Sequence, residues 1–286
     1  MAGHQLTGTA QPEALMVPSP LLTGRSWNGR PAQKWRHRTG WASLTPEPSD
    51  ARGTVVTTND TARTGAKLWE GRILRLPGVY APQADSSFLT AAMHSELILP
   101  GTELLDLCTG TGAVALQAAR LGARVTAVDI SRRAVASARL NAAIARLPVR
   151  VHRGDLMSSL PGRSFDVLVS NPPYVPAPSL SLPRRGASRA WDAGLDGRIL
   201  VDRICDAAPG ALRPGGLMLM VHSGLTCPEE TVRRLSRAGM NASVSDRMTI
   251  PFGPVTSRRL SWLRERGLMP PDMSREELVM IRAQKE

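Results

Sequence analysis

From Leu68 onward, short apolar runs alternate with longer stretches in which alanine and leucine recur at helical spacing. The short runs predict strands at Glu103–Cys108, Arg124–Ile130, Val149–Gly154, Phe165–Ser170 and Leu217–His222, with two more near Ala242–Met248 and Glu277–Arg282. The longer stretches predict helices over Ser86–Leu99, Gly112–Leu121, Ser131–Arg146, Gly197–Leu212 and Pro228–Ala238, and a short basic helix around Arg258–Arg266. Ser131 is suited to cap its helix. Pro214-Gly215-Gly216 predicts a turn into the fifth strand. Alternation of this kind builds βαβ units, hence a parallel sheet covered by helices on both faces. The late pair of strands completes a Rossmann-like α/β fold with a seven-stranded sheet and fits an all-parallel dehydrogenase sheet less well.

Residues 1–65 carry neither period. They mix Pro, Gly, Ser, Thr and Arg, and hold three of the six tryptophans (Trp27, Trp35, Trp41) with few apolar partners. A disordered or loosely attached extension is expected there, with the folded domain over residues 66–286. The apolar fraction of 42% suffices for a sizeable core. The net charge of +12 is not confined to the extension: residues 1–65 have 7 basic and 4 acidic groups, the remainder 29 and 20. RNA, a ribosomal setting or an acidic protein surface would suit this excess, and so would arginine-rich solvated faces. Cys108, Cys205 and Cys227 are far apart, and neither they nor the five scattered histidines have metal-ligand spacing. No metal site is expected, and the thiols read as reduced. No apolar run nears the roughly 20 residues of a membrane span, and the start lacks the order of a secretory signal. A cytoplasmic enzyme is the expectation.

The first strand ends in Asp106-Leu107-Cys108-Thr109-Gly110-Thr111-Gly112, where Gly110 and Gly112 allow a tight turn and close approach to a ligand. Asp129 closes the second strand. A carboxylate there can accept from two ribose hydroxyls, or it can cap the next helix. Gly154-Asp155-Leu156 follows the third strand, where Asp155 can accept from an adenine amino group with Leu156 against the ring; a plain Gly-Asp turn is the competing reading. The glycine loop and Asp129 alone leave nicotinamide and S-adenosylmethionine cofactors in competition.

Asn171-Pro172-Pro173-Tyr174 follows the apolar strand FDVLVS. Two prolines there would waste ladder hydrogen bonds unless the chain leaves the sheet, and they restrict the backbone to a defined extended turn. That turn falls at the carboxyl edge, where ligands bind in this architecture. Its chemistry suits a planar nitrogen, whose delocalised lone pair makes it a poor nucleophile. The Asn171 side-chain oxygen and the Pro172 carbonyl can each accept one N–H, aligning the nitrogen with a sulfonium methyl without a strong base. Tyr174 can pack on the flat acceptor.

Together these residues resemble the HemK family of protein-glutamine methyltransferases, within the class I S-adenosylmethionine-dependent superfamily, from about Leu76 to the C-terminus. Gly78–Ser86 resembles the segment over the cofactor in the branch lacking the bacterial helical N-terminal domain, and residues 1–65 hold no counterpart of that domain. The resemblance implies that Tyr80, Pro82, Asp85 and Ser86 close the cofactor pocket. Asp106 and Cys108–Gly112 would meet the methionine end, Asp129 with Ile130 the ribose, Asp155 and Leu156 the adenine, and Asn171–Tyr174 the acceptor amide. Val175–Arg189 would be a mobile substrate loop, and Trp191–Gly197 the turn after it. Cys108 departs from the usual glycine, tolerable if the backbone is unstrained there. The implied acceptor is a glutamine of a peptide chain release factor, and a small activating partner protein accompanies much of this branch.

Methylation of an adenine amino group in DNA or RNA uses an equivalent clamp, although no target-recognition domain to hold a flipped base is visible. A catalytically silent binding module would not need Asp129, Asp155 and the NPPY run intact. A nicotinamide oxidoreductase has no use for NPPY.

Overall fold

A computed structural model describes residues 73–96 and 98–286. The extension expected over 1–65, with its boundary at 66, lies outside the described residues. Helix α1 (Ala84–Ser95) leads into β1 (Glu103–Leu107), α2 (Ala113–Arg120), β2 (Arg124–Asp129), α3 (Arg132–Ala145), β3 (Val149–Arg153) and β4 (Phe165–Ser170). Then come α4 (Ile199–Ala211), β5 (Leu212–Ser223), α5 (Pro228–Arg237), β6 (Met240–Ile250), the short α6 (Pro254–Arg258) and α7 (Leu260–Glu265), and β7 (Glu276–Lys285). The strands form one seven-stranded sheet in the order β3-β2-β1-β4-β5-β7-β6. The first five are parallel; β7 runs antiparallel between β5 and β6. This is the class I methyltransferase sheet.

Local chemistry explains the elements. Ser131 accepts from the Ala134 N–H at 3.4 Å, starting α3 as its sequence predicts. Helix α5 opens with Pro228, carries Glu229 and Glu230 in its first turn and Arg234 and Arg237 in its last, matching the helix dipole at both ends. Strand β4 is apolar because it is central in a sheet covered on both faces, and Phe165, Leu168 and Val169 are inaccessible to solvent. With Leu104, Leu105 and Leu107 of β1 and Met218–Val221 of β5 they form the middle of the core.

Two local expectations need correction. Pro214-Gly215-Gly216 lies inside β5 rather than before it. The β4–β5 ladder pairs Phe165 with Leu212 and then Val167 with Leu217, so the proline and glycines are taken up in a bulge. The basic helix around Arg258–Arg266 is two helices broken at Arg259. His222 is fully buried in β5; its Nδ1 meets the Thr226 hydroxyl at 2.7 Å, while Nε2 has no partner among the described residues. Burial pulls its imidazole down to about 4, so it is neutral. Among the described residues, no helix is long and apolar enough to cross a membrane.

Sheet order reverses between β1 and β4, and the crevice beyond their carboxyl ends is the ligand position in a doubly wound sheet.

Candidate active site

A cavity of about 450 Å3 opens there, within the range of small-molecule and cofactor sites. It brings together Tyr80, Pro82, Asp85 and Ser86 from the segment entering α1, and Asp106, Cys108 and Gly110 from the end of β1. Asp129 and Ile130 follow β2, Asp155 and Leu156 follow β3, and Asn171–Tyr174 follow β4. Gly112 alone of the predicted site residues is not on the wall. At φ 82 it starts α2, and an added Cβ would lie 3.0 Å from that of Ala138, so it seats α3 against the loop.

The glycine loop and Asp129 are tied to each other. Gly110 N–H donates to one Asp129 carboxylate oxygen at 3.0 Å and Ser131 N–H to the other at 2.8 Å. Burial raises the Asp129 pKa, partly opposed by those two donors and by Arg189. Asp129 thus holds Ser131, the residue that caps α3, rather than capping the helix itself, and it stands on the cavity wall. Asp106 is deeper. Its carboxylate accepts from the Thr109 hydroxyl at 2.6 Å, yet burial pushes it up to about 7.

Cys108 requires a correction. Its φ is 61, the left-handed region, so the glycine-like position is strained rather than relaxed. Burial, then the charges of Asp129, Asp106 and Asp155, raise its thiol pKa, keeping it protonated. Asp155 is also less free than expected, because Arg203 of α4 pairs with one of its oxygens at 2.8 Å. Both side chains are over two-fifths exposed, so this pair orients more than it stabilises.

Beside Asn171–Tyr174 the cavity wall is built around Asp85. Its Oδ2 accepts from the Tyr80 hydroxyl at 2.8 Å and the Tyr174 hydroxyl at 3.2 Å. Burial first, and Asp85 second, push both phenols far above their ordinary pKa, so they remain donors. Asn171 Nδ2 donates to the Ser86 hydroxyl at 3.3 Å. After Tyr174 the chain forms a parallel bridge, Val175 with Asp192, in which Val175 N–H donates to Trp191 O at 2.8 Å and Ala193 N–H to Val175 O at 3.1 Å. Gly197, at the end of the predicted turn, has φ +76, and a Cβ there would fall 2.3 Å from the Tyr174 carbonyl. From α7's start, Arg259 donates to Pro176 O at 2.8 Å and pairs with Asp192 at 2.7 Å. The segment between these anchors rims the cavity with Leu182, Pro183, Arg184 and Arg189.

Sequence reading missed Arg203, Leu200 and Arg259. Leu200 and Arg203 are three apart on one face of α4, so helical spacing offered a signal. Arg259 offered none, since its partners are more than sixty residues away along the chain.

The description of a methyltransferase small domain matches residues 70–181. A putative protein N5-glutamine methyltransferase of Methanocaldococcus jannaschii is 32% identical over 185 residues, covering 64% of this chain and 92% of that protein. A release factor glutamine methyltransferase of Deinococcus radiodurans is 34% identical over 194 residues, 65% of this chain and 69% of its own. Among solved structures, the E. cuniculi Mtq2-Trm112 complex, responsible for methylation of the eRF1 translation termination factor, superposes with a TM-score of 0.52 at 25% identity, over 73% of this chain and 99% of that one.

Proposed function

The chain belongs to the HemK family of protein-glutamine methyltransferases, and from that premise we propose that it transfers the methyl group of S-adenosylmethionine to the side-chain amide nitrogen of a glutamine in a peptide chain release factor. The catalytic domain in this reading is residues 66–286. The observation that carries it is a single cavity lined both by the strand-end residues Asp106, Asp129 and Asp155 and by all of Asn171–Tyr174. A cofactor held along the first set meets an acceptor held by the second.

The donor set fits the cofactor. Asp129 offers acceptor lone pairs for vicinal hydroxyls, Asp155 and Leu156 a polar and an apolar contact for a purine, and Asp106 a carboxylate for an ammonium group. Beside Gly110 the space is open, with nothing within 4 Å of where a Cβ would project, so a ligand can approach the backbone. Tyr80, Pro82 and Ser86 close the pocket from the side of α1. When bound, the cofactor supplies an electrophilic methyl on a sulfonium.

The chain's own residues then do the positioning. Asn171 Oδ1 and the Pro172 carbonyl each accept one N–H of the glutamine amide, while Pro173 keeps that turn rigid. This fixes the nitrogen's direction of attack and draws electron density onto it. The Tyr174 ring packs on the amide plane. A bound cofactor would supply its methyl to the nitrogen held there, and the proton that nitrogen gives up would pass to solvent. A small partner protein belongs to the proposal, as Mtq2 is assembled with Trm112 in the structural neighbour. A cytoplasmic setting is in keeping with three free cysteines.

The test is transfer of tritiated methyl to purified release factor, its Gln→Ala loop variant, ribosomal RNA and plasmid DNA, with and without added host extract to supply a partner. Label on the release factor that disappears in the loop variant is the expected result. Label on nucleic acid alone would transfer the assignment to adenine methylation.

A further inference from the structure

An asparagine used as an acceptor clamp has an ambiguity that geometry must resolve. Its amide oxygen and nitrogen are almost the same size, and only the oxygen can accept the substrate N–H. Turned the other way, Asn171 would set donors against donors.

The surroundings of Asp85 remove that ambiguity. Four donors converge on its carboxylate: the Ser86 N–H at 2.6 Å and Ser86 hydroxyl at 3.2 Å on Oδ1, and the Tyr80 and Tyr174 hydroxyls at 2.8 and 3.2 Å on Oδ2. With donors around both oxygens it acts as an acceptor throughout. The Ser86 hydroxyl has one hydrogen, and Asp85 takes it. Toward Asn171 the Ser86 oxygen can therefore only accept, and the group 3.3 Å away must be the amide Nδ2. This polarity follows from hydrogen counting alone.

We infer that Asp85 and Ser86 are positioning residues that set the orientation of the Asn171 amide, leaving Oδ1 at the other end of the planar group for the acceptor nitrogen. The chain runs one way: acceptor N–H to Asn171 Oδ1, Asn171 Nδ2–H to Ser86 Oγ, Ser86 Oγ–H to Asp85. Each link polarises the next, so the acceptor oxygen is a better base than in an isolated amide. Ser86 is 5% and Asp85 3% exposed, so little water competes for either link. Because Tyr174 is bound to the same carboxylate, ring and amide share one anchor. This inference rests on the methyl-transfer reading and adds to the cofactor-facing role of Ser86.

The experiment measures kcat for transfer to a glutamine acceptor and calorimetric affinity for S-adenosylhomocysteine in Ser86→Ala, Ser86→Thr, Asp85→Asn and the Ser86→Ala/Asp85→Asn pair. Ser86→Ala should lower kcat by about tenfold or more, a larger factor than any loss of affinity. Ser86→Thr, which keeps the hydroxyl, should recover most of the turnover that Ser86→Ala loses. Asp85→Asn should lose turnover as Ser86→Ala does, since an amide no longer dictates which way the hydroxyl points. As one chain, the pair should be no slower than its slower single. Unchanged kcat in Ser86→Ala, equal losses of kcat and affinity, or multiplied losses in the pair would each overturn the inference. Should Ser86→Thr not fold, Asp85→Asn and the pair decide the matter. A parent enzyme that labels no glutamine overturns the functional reading instead, a distinct result.

Discussion

Replacing Asp106 by asparagine should change how folding stability depends on pH. The Asp106 carboxyl is 2% exposed and burial raises it to about 7, despite the Thr109 hydroxyl at 2.6 Å. In the unfolded chain the same group titrates near 3.8. The folded state therefore holds a proton that the unfolded state has released across the window between those values. The stability contribution is complete below about 4, declines as pH rises and is lost above about 7. At 1.36 kcal/mol per decade, the penalty for carrying the charge when folded is on the order of 4 kcal/mol. Asparagine keeps the shape and an oxygen for Thr109 but has no proton to lose. Asp106→Asn should be more stable than the parent by only about 1 kcal/mol near pH 4.5 and by about 4 kcal/mol near pH 8. Urea unfolding followed by circular dichroism at both pH values and constant ionic strength measures the difference. Glu276, also raised by burial, slopes both curves alike and drops out of the comparison, whereas the Asp129 charge helps raise Asp106 and is part of the effect measured. A gap between the proteins that changes by less than about 1 kcal/mol from pH 4.5 to 8 would refute the reasoning.

Other variants test separate parts of the site. Asn171→Ala should keep S-adenosylhomocysteine affinity within about threefold while turnover falls by about a hundredfold, since the lost contact acts on the acceptor; a loss confined to cofactor affinity would count against the clamp. Asp129→Ala should weaken cofactor binding by about 2–3 kcal/mol in calorimetry, as two hydroxyls lose a charged acceptor. At Cys108, with φ 61, glycine should leave thermal stability unchanged or higher, whereas valine should cost about 2 kcal/mol; equal midpoints for the two would mean the position is not strained. Phe165→Ala, inside β4 and beneath the Arg163 guanidinium at 5.0 Å from its ring, should cost about 3–5 kcal/mol in denaturant unfolding.

The sheet was legible because its information is local. β1, β2 and β4 are largely apolar runs, β3 alternates as VRVHR, and turn residues follow all four, so finding a strand end found a residue on the cavity wall. What escaped depends on partners distant in the chain. Nothing near Asp155 announces Arg203, 48 positions on. The bulge at Pro214–Gly216 reads as a turn locally and becomes part of a strand only when β4 supplies a register to bulge against. Asp85 was legible as a pocket residue. Its role as the meeting point of Tyr80, Tyr174 and Ser86 depends on a contact spanning 89 positions.

Arg259 bears on whether this enzyme is modular. It stands at the break between α6 and α7, yet it secures both ends of the segment that rims the cavity, at Pro176 and Asp192. The stretch matching the methyltransferase small domain stops at residue 181, far short of it. A fragment ending after β5 would keep each recognisable motif and lose the brace on the loop at the cavity rim. For the same reason, transplanting residues 175–192 from a relative with a different acceptor would carry over the loop without its fastening. Exchange of specificity between relatives would have to move two distant stretches of chain together.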